Sequence, residues 1–164
     1  MAHRNIRVPF VLALILAAVG SSNGQMERGK LDRLTGEADL IAVGKVAGVK
    51  SAWDRSRIVT TVTLKVGEFL KGNGEATLTI TTPGGEVGGV GEWYSHTATF
   101  RENEEVVLFV KRDRGGALRV SGGDEGKVRI ERDASTGAPL VHGIRPLADF
   151  KNDVAAALQS RNPR

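Results

Sequence analysis

Between Ile58 and Val66 the chain alternates strictly. Ile58, Thr60, Val62, Leu64 and Val66 fall on one side, and Val59, Thr61, Thr63 and Lys65 on the other. Successive side chains of a strand point to opposite faces of a sheet, so this β-branched, period-two run specifies a strand with one buried face. It leads to Lys71-Gly72-Asn73-Gly74, a turn signal, after which Ala76, Leu78 and Ile80 alternate with Thr77, Thr79 and Thr81. Two such runs across a glycine-containing turn predict a β-hairpin. The rest of the chain has to fold around that hairpin, which favours a mainly β, antiparallel architecture.

The flanking segments agree. Leu40, Ile41, Val43, Val46 and Val49 fill a β-rich stretch in which Gly44 and Gly48 predict a bulge or tight bend. Val106 to Val110 is an unbroken apolar run, the pattern of a strand covered on both faces. Residues 117–120, 127–131 and 139–142 read as shorter strands. Leu31 and Leu34 lie at i, i+3 spacing within 27–37, predicting a short helix weakened by Gly29 and Gly36. Leu147, Phe150, Val154, Ala155 and Leu158 form a helical stripe in 146–160, with Pro146 at its start. The expectation is a single domain over residues 25–164. It is mainly β with a minor α part: a small antiparallel barrel of five to six strands, with a short helix before it and a helix after it.

The first 24 residues read as an address. Arg4 and Arg7 precede the run Val8–Val19, and Gly20, Ser21, Ser22, Asn23 and Gly24 follow it. The run has 12 residues, which cover about 18 Å as a helix, too little for a membrane core of about 30 Å. A basic start, a short apolar centre and a small-residue exit describe a secretory signal peptide. Cleavage is placed after Gly24, with cleavage after Gly20 as the alternative. Removing residues 1–24 from the 164 leaves 140, and losing Arg4 and Arg7 lowers the formal charge from +4 to +2. The expected product is an exported, periplasmic or extracellular, soluble and monomeric protein. Zero cysteines exclude disulfides, thiolate metal sites, a cysteine nucleophile and a lipidated cysteine.

No pattern marks catalytic chemistry. Beyond the signal segment, His96 and His142 are the only histidines. Their spacing has no metal-ligand form, so no metal and no cofactor is expected. Asp124-Glu125 lacks the acidic ladder of a calcium loop. Ser95 and His96 are adjacent, which points them to opposite sides of an extended chain, and no G-x-S-x-G elbow occurs. The basic clusters Lys111-Arg112-Arg114 and Arg129-Arg132 are interleaved with Asp113, Glu131 and Asp133. That mixture reads as a solvated face, so no nucleic-acid partner is expected.

The sharpest local feature is Pro83 to Gly91, where five of nine residues are glycine. It has no G-K-[ST], and Tyr94 stands where a dinucleotide fingerprint needs a third glycine. Two readings stand. The stretch is either a mobile binding loop presenting its aromatics, or a long barrel connection whose glycines make bends while Trp93 covers the core edge. The first gives Glu86, Glu92, Trp93, Tyr94 and His96 as partner-binding residues, because Trp and Tyr are frequent interface anchors.

The segments ADLIAVGKV (38–46), TTVTLKVGEFLKG (60–72), TPGGEVGGVG (82–91), FRENEEVVLFV (100–110) and GKVRIERD (126–133) resemble a group of exported bacterial proteins. Their order over residues 37–112 also resembles the netrin-like superfamily, to which the tissue inhibitors of metalloproteinases belong. That resemblance implies an OB-type barrel, export and a peptidase as partner. Those inhibitors chelate zinc through an N-terminal cysteine, and this chain has none, so the resemblance carries fold and not mechanism. The function expected is a non-catalytic exported module that binds a protein partner, such as a secreted peptidase, through residues 83–94. The alternative is a small secreted hydrolase using carboxylates and His96.

Overall fold

The computed structural model describes residues 22–161. The expected signal segment lies outside that range, apart from Ser22–Gly24. Those three residues open the helix α1, Ser22–Glu37. Ten strands follow: β1 Leu40–Asp54, β2 Arg57–Lys71, β3 Thr77–Pro83, β4 Gly85–Val87, β5 Val90–Glu92, β6 Glu105–Arg112, β7 Leu118–Val120, β8 Lys127–Arg132, β9 Pro139–Val141 and β10 Arg145–Pro146. A 3-10 turn at Gly123–Gly126 precedes β8, and the helix α2, Leu147–Ser160, ends the described chain. The protein is therefore mainly β with two helices, as the alternation predicted. It has ten strands where five to six were expected, and three of the additional ones lie in the glycine-rich stretch, which forms two, and in the last connection.

Eight strands join one sheet in the order β1-β2-β3-β7-β6-β8-β9-β10, and β6 also pairs with β1. Each of β1, β2, β3, β7 and β6 pairs with two of the other four. All these pairings are antiparallel except β3–β7, a parallel contact at Ile80↔Leu118. The expected hairpin is present, with Val62 opposite Ile80 and Leu64 opposite Leu78. Its connection is longer than the KGNG turn suggests. β2 leaves β3 after Lys65↔Thr77 and continues to Lys71 along β1. A second, tighter hairpin joins β1 to β2 through Arg55 and Ser56, with Arg55 at φ 56°.

β1 bends as its glycines predicted. Its register with β2 shifts between Val43 and Gly44 and between Val46 and Gly48. A Cβ on Gly44 would lie 2.4 Å from the Lys65 carbonyl oxygen, so the two backbones could not approach this closely with any other residue there. The bend lets one strand serve two neighbours, since Leu40–Lys45 also pairs with Glu105–Val110 of β6.

β6 separates two cores. Val106, Leu108 and Val110 pack with Val46, Val62, Leu64 and Ile80 between the strands. Val107 and Phe109 point the other way, onto Leu34, Val128, Phe150 and Val154 beneath the two helices. The unbroken apolar run thus reflects burial on both faces. On α2 the buried stripe is Phe150, Val154 and Ala157, with Leu147 and Leu158 packed beside it. Ala155 is exposed, so Ala157 takes the place the sequence stripe gave to it. The Lys71 ammonium donates to the carbonyls of Thr35 and Ala38 at the end of α1, where unsatisfied carbonyls and the negative end of the helix dipole favour a cation. Among the described residues, no helix is long and apolar enough to cross a membrane.

Candidate functional site

The glycine-rich stretch is a hairpin rather than a loop. β4 and β5 pair antiparallel with Val87 opposite Val90, leaving Gly88-Gly89 as a two-residue turn. Both turn residues have positive φ, at 60° and 81°. That is the backbone a tight hairpin demands, and it explains two of the five glycines without a ligand.

Two further glycines fasten the hairpin across the β1–β2 pair. Gly84 and Gly85 have φ 86° and 130°, and a Cβ on Gly85 would lie 2.3 Å from Thr60 Oγ1 and 2.4 Å from Ser51 Oγ. The Gly84 N–H donates to the Ile58 carbonyl at 2.8 Å. The Thr60 hydroxyl donates to the Gly84 carbonyl at 2.6 Å, and the Ser51 and Thr60 hydroxyl oxygens are 2.8 Å apart. Of the two readings, the geometry matches the connection whose glycines make tight bends, here a hairpin held down at its base.

Glu92 completes the fastening. Its carboxylate accepts the Ile58 N–H at 2.9 Å and the Tyr94 hydroxyl at 3.2 Å. One side chain thus ties the end of β5 to the start of β2 and orients the tyrosine. Glu92 is a brace through Oε2. Glu86 lies on β4 and is exposed.

Trp93 is 74% exposed and Tyr94 42%. Trp93 does not cover the core edge; Phe100 packs there instead, against the core between the strands. Val90 and Trp53 are also half-exposed. Trp53 is opposite Ile58, the residue that holds Glu92, so it belongs to the same end of the molecule. Sequence periodicity passed over Trp53, although its place beside a two-residue turn was a usable signal. Glu86, Glu92, Trp93 and Tyr94 border a cleft of about 200 Å³ together with Ser51 and Thr60.

His96 is not part of this cleft. It is exposed, with φ 57°, and its carbonyl accepts the Asp124 N–H at 3.0 Å. That bond anchors the 3-10 turn before β8. The structure thus brings four of the five expected residues to one cleft, and His96 is not among its lining residues. No group of three or more His, Asp or Glu side chains suited to a metal ion occurs among the described residues.

The segment between Tyr94 and β6 is held by a residue that sequence reasoning missed. Glu104 has a side chain only 7% exposed and lies 2.7 Å from the Lys127 ammonium and 3.0 Å from Arg129 Nε. The Arg101 N–H donates to it at 3.1 Å. Burial pushes its pKa up, but the bonds from Lys127, Arg101 and Arg129 outweigh that, and the carboxyl titrates below its usual value. Lys127 also lies 4.8 Å over the Phe100 ring. Glu104 thereby fixes the path that carries the aromatic end of the molecule back to the core.

Comparison with protein-family models and with curated proteins finds no match.

Proposed function

We propose that this chain is an exported binding module on an OB-type barrel, and that it docks a protein partner through the β4–β5 hairpin, with Trp93 and Tyr94 as anchors. The barrel reading draws on the pairing of β1, β2, β3, β7 and β6, each with two of the others. The observation that carries the binding reading is Trp93, 74% exposed on a backbone that hydrogen bonds hold at both ends. An exposed aromatic on a fixed frame loses little conformational freedom on association, and Trp and Tyr contribute disproportionately to binding energy. Glu92 supports this by orienting Tyr94, and exposed Glu86 lies at the rim. A secreted peptidase is the partner class the netrin-like resemblance suggests. Without cysteine the contact would be surface docking, with no thiolate reaching a metal.

The test is capture of partners from envelope and culture-supernatant fractions by the wild-type chain and by Trp93→Ala/Tyr94→Ala. Loss of about 2 kcal/mol or more at an anchor weakens binding roughly thirtyfold. At least one captured partner should therefore disappear with the double variant. Retention of every partner would remove the hairpin from the interface.

A further inference from the structure

A second site lies on the opposite side of β6. We propose that the cavity between α1, α2 and the helix-facing side of β6 and β8 binds a small amphiphilic carboxylate, of the class of a medium-chain fatty acid. The cavity measures about 310 Å³, at the lower end of the roughly 300–1,000 Å³ typical of small-ligand sites. It is unrelated to the aromatic hairpin and stands or falls separately.

Its floor is apolar. Leu34, Phe109, Val128 and Phe150 line it, all from the core beneath the helices. Its rim is charged and unbalanced. Arg28, Lys30 and Arg145 stand against Glu125 and Asp153, an excess of one cation, and His142 lies beside them. The two acids are already engaged: Lys30 lies 3.5 Å from Glu125, Arg33 also pairs with it, and Arg145 pairs with Asp153. The Arg145 guanidinium lies 5.9 Å from the centre of the Phe150 ring, so the cationic rim begins where the apolar floor ends. A ligand matched to this gradient has a hydrocarbon body and one anionic end. Burial of the body supplies the affinity, and the excess cationic rim fixes the orientation.

The turn between β9 and β10 brings His142 to the cavity lining. His142 has φ 53° and Gly143 φ 72°, which carries the chain around the mouth. The next residue, Ile144, is 85% exposed, the highest among the exposed large hydrophobics. It makes no contribution to either core.

The test uses decanoate, decanol and decylammonium as probes, each below its micelle concentration, with the full chain. Titration calorimetry gives affinity, and amide chemical shifts of residues 28–34 and 142–145 give location. Decanoate should bind one-to-one with shifts confined to those segments, and decylammonium at least about tenfold more weakly. Leu31→Trp, at the half-buried wall, should abolish the binding. Arg28→Glu, on an exposed side chain that leaves the core untouched, should weaken decanoate several-fold and leave decanol unchanged. Absence of saturable decanoate binding would overturn the proposal. So would equal binding of all three probes, or decanoate binding unaffected by both substitutions.

Discussion

The two ends of the molecule use aromatic residues in opposite ways. On the β4–β5 side, Trp93 and Tyr94 point outward, and polar groups behind them, Glu92, Thr60 and the Gly84 backbone, hold the frame. On the helix side, Phe109 and Phe150 point inward, and the polar groups stand in front, at the rim of a cavity. On the two proposals, the same chemistry serves two kinds of recognition. Aromatics outside a braced backbone suit the surface of a macromolecule, and aromatics inside a charged rim suit a small molecule. What decides between them is the side on which the polar groups lie.

The largest effect belongs to the helix side. Phe109→Ala removes a fully buried ring beneath the helices and should cost about 3–5 kcal/mol in urea unfolding. If the two ends are independent, partner binding through Trp93 should survive in whatever fraction stays folded.

Glu104→Gln should cost less, about 2–4 kcal/mol, because the largely buried Lys127 would keep oxygen acceptors but lose the negative charge that pairs with it. The sign of the pH dependence follows from the lowered carboxyl. Its stabilisation is complete above the ordinary glutamate value of about 4.5 and is lost as pH falls through the lower folded value. Wild-type stability should therefore decline through that acid range, and the variant should show a flatter profile in denaturant titrations.

Gly85→Ala strains a residue at φ 130° and pushes a methyl onto Thr60 and Ser51. It should cost about 1–3 kcal/mol. Limited proteolysis should then cut between Gly84 and Gly91 first, whereas the wild-type hairpin should resist at its base. Early cutting of the wild type there would restore the mobile-loop reading. The smallest change in stability is expected for Trp93→Ala, within about 0.5 kcal/mol, because that side chain is mostly in water. A large loss would mean that Trp93 supports the fold after all.

The fold was legible where side chains report their own strand. Ile58–Val66 shows its buried face by alternation, and Val106–Val110 shows its two buried faces by lacking one. Leu31 and Leu34 mark the packed face of α1. Gly44 and Gly48 announce the bends that β1 makes. The site was legible in part. The glycines and aromatics of 83–94 stood out, but their roles depended on partners far along the chain. Glu92 bonds Ile58, which is 34 residues away in sequence, and Glu104 reaches Lys127, which is 23 away. Periodicity carries no information about such pairs, so the bracing role of Glu92 and the whole of Glu104 went unnoticed. Ala155 was misplaced for a related reason. A stripe of small residues on a helix does not say which alanine meets the sheet. The β1–β6 pairing and the cavity between the helices arise only when distant elements close on one another.

The central claim is that a partner docks on Trp93. The chain has two tryptophans, Trp53 and Trp93, so 5-fluorotryptophan labelling gives one fluorine resonance for each, assigned with Trp53→Phe. Adding the captured partner should shift or broaden the Trp93 resonance in proportion to the bound fraction. A partner that binds while the Trp93 resonance keeps its free position and width would contradict the claim.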